Sequence, residues 1–230
     1  MCFTCRQTAH LLGTPLSPVL PVRLCVLPGP LYTVLMGYKE GPVAEARRHF
    51  ALLVRALLDD FLASHAPCVA AAAGGAPGLA LPVPSSARPG QAPLHGVQGL
   101  GGIVERGLAG TRWVPEALVR TAAPVGHMRP HREAFAVPAA ARRLVTGRRI
   151  VLVDDLYVSG ARAQSAAAAL RLAGAPAVAI VVLGRVLRPD RVDLHARFLR
   201  RLEVAGRALE APERPSCCRC ARPQTATSME

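Results

Sequence analysis

The sequence predicts an α/β chain: a three-layer sandwich with a mainly parallel central sheet and a small N-terminal hood or appendage. Three observations carry that prediction. Ile150 to Val153 is a short, unbroken β-branched and aliphatic run, the pattern of a strand buried on both faces of a parallel sheet. An Ala-rich segment of high helix propensity, Ala163 to Ala173, follows it and stops at Gly174. Further apolar runs, Leu79 to Val83 and Ala177 to Leu183, alternate with helical patterns as βαβ units do. A hydrophobic content of 51% in 230 residues is enough for one sizeable core.

Taken in order, residues 1–30 are expected to form a cysteine-bearing appendage, a hood or a degenerate zinc ribbon. Pro15, Pro18, Pro21 and Pro28 break its apolar stretches, and no basic start precedes them, so it does not read as a signal peptide. Cys2 and Cys5 make a C-x-x-C, half of a zinc knuckle. Cys25 and His10 are the remaining candidates there, but their spacing forms no second tight pair, and structural zinc is normally four-coordinate. Leu31 to Lys39 reads as a strand or an amphipathic entry segment. Pro42 suits a first helical turn, and apolar residues from Phe50 to Leu62 at helical spacing extend a helix over about Val43 to Ser64. Val69 to Ala73 is a candidate strand of small residues.

Leu79 to Val83 is a second buried strand, and Ser85 to His95 a loop by composition. Leu94 to Leu108 is loosely helical, diluted by Gly96, Gly99, Gly101 and Gly102, each of which costs ~1 kcal/mol relative to alanine inside a helix. Ala117 to Arg120 reads as a strand. Thr121 to Arg132 has the Pro/Gly content of a flexible loop, with His127, Arg129, His131 and Arg132 as its charged or titratable members. Beyond the strand at Ala177 to Leu183, Arg191 to Leu202 reads as a short amphipathic helix carrying His195. Residues 206–230 read as a disordered tail holding Cys217, Cys218 and Cys220. The main domain is therefore expected over 31–205.

The net charge of +13 permits nucleic acid, membrane-surface or polyphosphate partners. The basic residues are scattered and Lys39 is the only lysine. Aromatics make up 4% of the chain, too few for a stacking platform on single strands, so a solvated basic surface is the plainer reading. No segment has the ~18 uninterrupted apolar residues of a membrane span. With free-looking cysteines and no export signal, the cytoplasm is the expected compartment.

The chemistry is concentrated in Arg149 to Leu170. Asp154 and Asp155 follow the apolar run, and the turn Val158, Ser159, Gly160, Ala161 and Arg162 leads into a helix. A helix N-terminus offers unpaired N–H groups and a positive dipole end to a phosphate. Gly160 and Ala161 permit a close backbone approach, and Ser159 adds a hydroxyl. Paired carboxylates can accept hydrogen bonds from the vicinal hydroxyls of a ribose. Capping alone would explain one such acid, not two directly after a buried strand.

V-L-V-D-D-L-Y-V-S-G-A-R resembles the phosphoribosyl pyrophosphate (PRPP) signature of type I phosphoribosyltransferases: four apolar residues, two acids, two apolar residues, then Thr-Thr-Gly-x-Thr. The order of blocks is similar to the ComF group of competence-associated proteins. It runs from a cysteine-bearing N-terminus through Tyr38-Lys39 at a long helix and Leu81-Pro82-Val83-Pro84 before a Ser/Arg loop. Arg129 to Val137 and the signature complete it. The resemblance spans about Tyr32 to Arg185. It implies that Asp154 and Asp155 hold the ribose, that Val158 to Arg162 cradle the 5′-phosphate, and that Ser85, Ser86 and Arg88 take the pyrophosphate with Mg2+. It further implies that Arg129 and Arg132 lie on a loop folding over the ligand. Val158 and Arg162 stand where the family usually has threonines. The expected activity is transfer of a phosphoribosyl group to a nitrogen nucleophile. The alternative is a catalytically silent relative serving DNA uptake or nucleic-acid binding.

Overall fold

Ile150, Val151, Leu152 and Val153 are each 1% exposed or less. They reach that burial because their strand lies inside the sheet with helices packed on both faces. The structure is a computed structural model that describes residues 3–85, 93–126 and 128–187. In chain order its elements are α1 (Phe3–Leu12), β1 (Val19–Val26), α2 (Pro30–Glu40), α3 (Ala44–Ala72), β2 (Leu79–Pro82), α4 (Leu100–Gly107) and β3 (Arg112–Trp113). They continue with β4 (Val119–Arg120), β5 (Phe135–Ala136), α5 (Arg142–Val145), β6 (Arg149–Tyr157), α6 (Ala161–Leu172) and β7 (Ala177–Leu187). Five strands form one parallel sheet in the order β1-β7-β6-β2-β3. β4 and β5 form a separate antiparallel pair.

Alternation along β6 builds two cores. Val151 and Val153 pack with Val54, Leu58 and Leu62 of α3 and with Ile103 of α4. Ile150 and Leu152 pack with Ala163, Ala166, Ala167 and Leu170 of α6. The alanines of α6 let it lie close to the sheet and be buried on more than one side, as a helix without a polar face must be.

Four elements depart from the sequence-based expectation. Residues 1–30 are not merely an appendage, because β1 is an edge strand of the main sheet, with Val22 and Cys25 buried. Pro21 is tolerated there because an edge strand has one side without ladder hydrogen bonds. Leu31 to Lys39 is helical, with Pro30 opening α2. Val69 to Ala73 is not a strand: α3 runs on to Ala72 through Pro67, because an alanine run favours a helix and only Val69 is β-branched. The strand expected at Ala117 shrinks to β4, with Pro115–Ala117 forming a 3-10 turn. Cys68 on α3 is disulfide-bonded, unlike the free thiols expected. The expected helix at 191–202, His195, the tail at 206–230 and its cysteines lie outside the described residues. Among the described residues no helix is long and apolar enough to cross a membrane.

Gln164 ties the N-terminal segment to the body. Its side chain, 4% exposed, accepts from the Ser17 backbone N–H at 2.9 Å and donates to the Ser17 carbonyl at 3.0 Å. Arg171 Nη2 adds a bond to Ser17 Oγ at 3.2 Å. Removing the amide strands a buried donor and a buried acceptor. Gln164→Ala is therefore expected to cost about 2–4 kcal/mol. Urea denaturation checks this, and a loss below about 1 kcal/mol would show that the clamp carries little stability.

Candidate functional site

Strand β6 is longer than its neighbour β2. Their pairing ends at Pro82 and Val153, closed by a Val83 N–H to Val153 carbonyl bond of 2.8 Å, whereas β6 and β7 stay paired to Tyr157 and Arg185. Asp154 and Asp155 thus stand where one side of the strand loses its partner. The chain leaves β2 for α4 on one face of the sheet and leaves β6 for α6 on the other. A parallel sheet opens a crevice between two strands whose connections diverge in this way. A cavity of about 320 Å3 lies there, lined by Lys39, Arg120, Val125, Gly126, the two aspartates and the turn from Val158 to Ala163.

The two acids have different surroundings. Asp155 is 7% exposed, and its Oδ2 meets both the Tyr38 hydroxyl and the Lys39 ammonium. Its Oδ1 accepts the Leu156 N–H at 2.7 Å. Both of its oxygens are thus engaged by donors. Burial, then the Asp155 charge, hold the Tyr38 phenol far above its ordinary pKa, so Tyr38 acts as a donor. Asp154 is half-buried, and among the described residues only its Oδ1 has a bond, from the Asp155 N–H at 3.0 Å. Burial, then the Asp155 carboxylate, push the Asp154 carboxyl up to about 7, against the pull of Arg162 and Lys39. Asp154 faces the cavity with acceptor capacity to spare, and Asp155 is the clamped member of the pair.

Opposite the acids stand two arginines. Arg162 Nη2 donates to the Pro84 carbonyl at 3.4 Å, bridging the loops after β2 and β6. Its Nε and the Nη1 of Arg120 are buried without a hydrogen-bond partner among the described residues. Arg120 also lies 5.7 Å from the Phe135 ring centroid. Burial, then the Arg162 charge, lower the Arg120 pKa. Two half-buried guanidinium groups lining the cavity, each with one buried and unused donor, suit an anion.

The turn before α6 adds backbone donors. Gly160 caps the helix at φ 80°, a left-handed conformation, and a Cβ there would run into the Tyr157 hydroxyl. The N–H groups from Gly160 to Ala163 have no acceptor within the helix. That of Ala161 turns back to Ser159 Oγ at 3.4 Å. The loop between β4 and β5 is pinned to α6 through Ser165, whose hydroxyl accepts the His131 N–H at 3.0 Å and donates to the Ala161 carbonyl at 2.7 Å.

The structure thus brings together Asp154, Asp155 and the turn from Val158 to Arg162. Ser85 lies half-buried just past β2 and outside the cavity lining, and Ser86 and Arg88 lie outside the described residues. Arg129 and Arg132 are exposed and do not line the cavity; Arg120, in β4 at the base of the same loop, does line it. His127 lies outside the described residues, as does Cys2. Cys5 sits on α1, and among the described residues no group of three or more His, Cys, Asp or Glu side chains is placed to hold a metal ion. Sequence reasoning missed Tyr38, Lys39 and Arg120 as site residues. Tyr38-Lys39 stood in the sequence as one block of the resemblance and Lys39 as the only lysine, but neither signal named a partner. No family model matches this chain, and no curated protein matches it.

Proposed function

We propose that the cavity binds PRPP and transfers its phosphoribosyl group to a nitrogen nucleophile. The observation that carries this reading is the juxtaposition of an under-bonded carboxylate, Asp154, with two under-bonded guanidinium groups and a glycine-capped helix start. A sugar phosphate needs that combination: acceptors for vicinal hydroxyls on one side and donors for a phosphate on the other. The order of blocks resembling type I phosphoribosyltransferases supports the same assignment.

In this reading Asp154 accepts from the ribose hydroxyls, and Lys39 and Tyr38 hold Asp155 so that the pair keeps its direction. The N–H groups at the start of α6, with Arg162 and Arg120, take the 5′-phosphate. As the C1–O bond to pyrophosphate breaks and the C1–N bond forms, positive charge gathers on the ribose ring. The Asp154 carboxylate, fixed beside the ring in a partly dry site, stabilises it. Pyrophosphate leaves with the bonding electrons, and the nitrogen releases its proton. The carboxylate oxygens are hard donors that suit Mg2+, and Mg2+ carried in with PRPP would neutralise the leaving group.

Isothermal titration with PRPP and Mg2+ tests the reading. Saturable binding is expected, weakened roughly tenfold or more in Arg162→Gln. An absence of heat in the unaltered chain would reject it. The second reading, a silent relative acting in DNA uptake, draws on the apolar, 43% exposed Val158 in the phosphate turn. It would be favoured by DNA binding with a steep salt slope together with no PRPP heat.

A further inference from the structure

A second cavity, of about 550 Å3, opens between α3 and the turn that leads into α4. It falls within the range of small-molecule sites. Arg48 and Arg55, two turns apart, fall on one stripe of α3, Arg47 stands beside that stripe, and all three line this space. The remaining wall is apolar or neutral, with Leu52, Val97 and Gln98.

The three cations are not spent on acids. Among the described residues Asp60 and Asp59 of α3 are paired, with Arg23 at 3.0 Å and Arg106 at 3.8 Å, but Arg47, Arg48 and Arg55 form no salt bridge, nor does Glu45. Arg47 Nη1 donates to the Gly41 carbonyl at 2.7 Å, which fixes its direction. Arg55 Nε is buried with no hydrogen-bond partner among the described residues. The Arg55 guanidinium lies over Gly99, where an added Cβ would stand 3.2 Å from its central carbon and where φ is +76°. The backbone is shaped to hold this guanidinium in place. An oriented, half-buried guanidinium with an unused buried donor, flanked by two more, fits a phosphate. The apolar side chains of Leu52 and Val97 beside them fit the flat face of a base.

We infer that this second cavity is a binding site for a nucleoside monophosphate. The phosphate would lie on Arg47, Arg48 and Arg55, and the base against Leu52 and Val97. The site does not depend on the reading of the first cavity, although Tyr38, buried between the two, borders the second cavity and holds Asp155 through its hydroxyl.

The experiment is isothermal titration of the full chain with AMP, GMP, CMP and UMP in turn, with inorganic phosphate as a reference. At least one nucleotide is expected to bind saturably, with a Kd between roughly 10 µM and 1 mM. It should weaken roughly tenfold or more in Arg55→Gln, and less in Arg48→Gln, whose side chain is solvent-exposed and whose replacement leaves the fold intact. PRPP binding should be unchanged in both variants, and nucleotide binding should persist in Asp154→Asn. No saturable nucleotide binding would overturn the proposal. So would equal affinity in Arg55→Gln, affinity no better than that of phosphate, or loss in Asp154→Asn with retention in Arg55→Gln, which would place the nucleotide in the first cavity. The PRPP arm reports separately on the first cavity, so either reading can fail alone.

Discussion

Asp154→Asn is expected to lose PRPP binding while gaining stability. The binding loss follows because an amide replaces half of the acceptor capacity with donors and removes the negative charge beside the ribose. A drop of roughly a hundredfold or more is the expected size, as for loss of an electrostatic contact at a reacting centre. The stability gain has the opposite sign because the Asp154 carboxyl is pushed up to about 7 in the native state, by burial first and the neighbouring Asp155 second. The folded chain holds this proton more tightly than the unfolded chain does. Stability therefore falls as pH rises from about 4 through 7, and the penalty is complete above that window. Solvent reaches part of the side chain, so the penalty is expected at about 1–2 kcal/mol rather than the full linkage value. Melting curves at pH 5 and pH 8 check this. The variant should melt a few degrees above the unaltered chain at pH 8 and close to it at pH 5. A difference that does not change with pH would refute the assignment.

Lys39→Met should have the largest effect on stability. The ammonium is 15% exposed and the carboxylate it meets on Asp155 is 10% exposed, so removing it leaves an interior charge supported by Tyr38 and one backbone N–H. Breaking one side of a buried pair costs about 3–5 kcal/mol, most of it from the charge left behind. The double variant Lys39→Met with Asp155→Asn should recover a large part of that loss, because no uncompensated charge remains. Urea midpoints of the two single variants and the double variant measure it. If the double variant is no more stable than Lys39→Met alone, the interaction is not the one described.

Local pattern made the centre of the fold legible and left its edges obscure. A β-branched run ending in two acids and a glycine turn has few interpretations, and β6, its turn and α6 follow from it. β2 beside β6 was legible for the same reason. The alanine run near Val69 was not, because five small residues do not distinguish a buried strand from the last turns of a helix. Nor was β1, since its proline argues against a strand unless one already knows that it is an edge. The site residues divide in the same way. Asp154, Asp155 and Gly160 sit within one short stretch and announce one another. Tyr38 meets Asp155 across 117 positions of sequence, and Arg120 joins Arg162 only after the loop between β4 and β5 has been placed. Arg129 and Arg132 were chosen by charge and loop position, which do not fix the direction of a side chain.

The sheet has two unlike borders among the described residues. One is β1, interrupted by a proline; the other is β3, only two residues long. Neither offers the run of regularly spaced N–H and carbonyl groups that a foreign strand would need to add itself. A foreign strand would therefore meet a missing donor at Pro21 on one border and only two residues on the other.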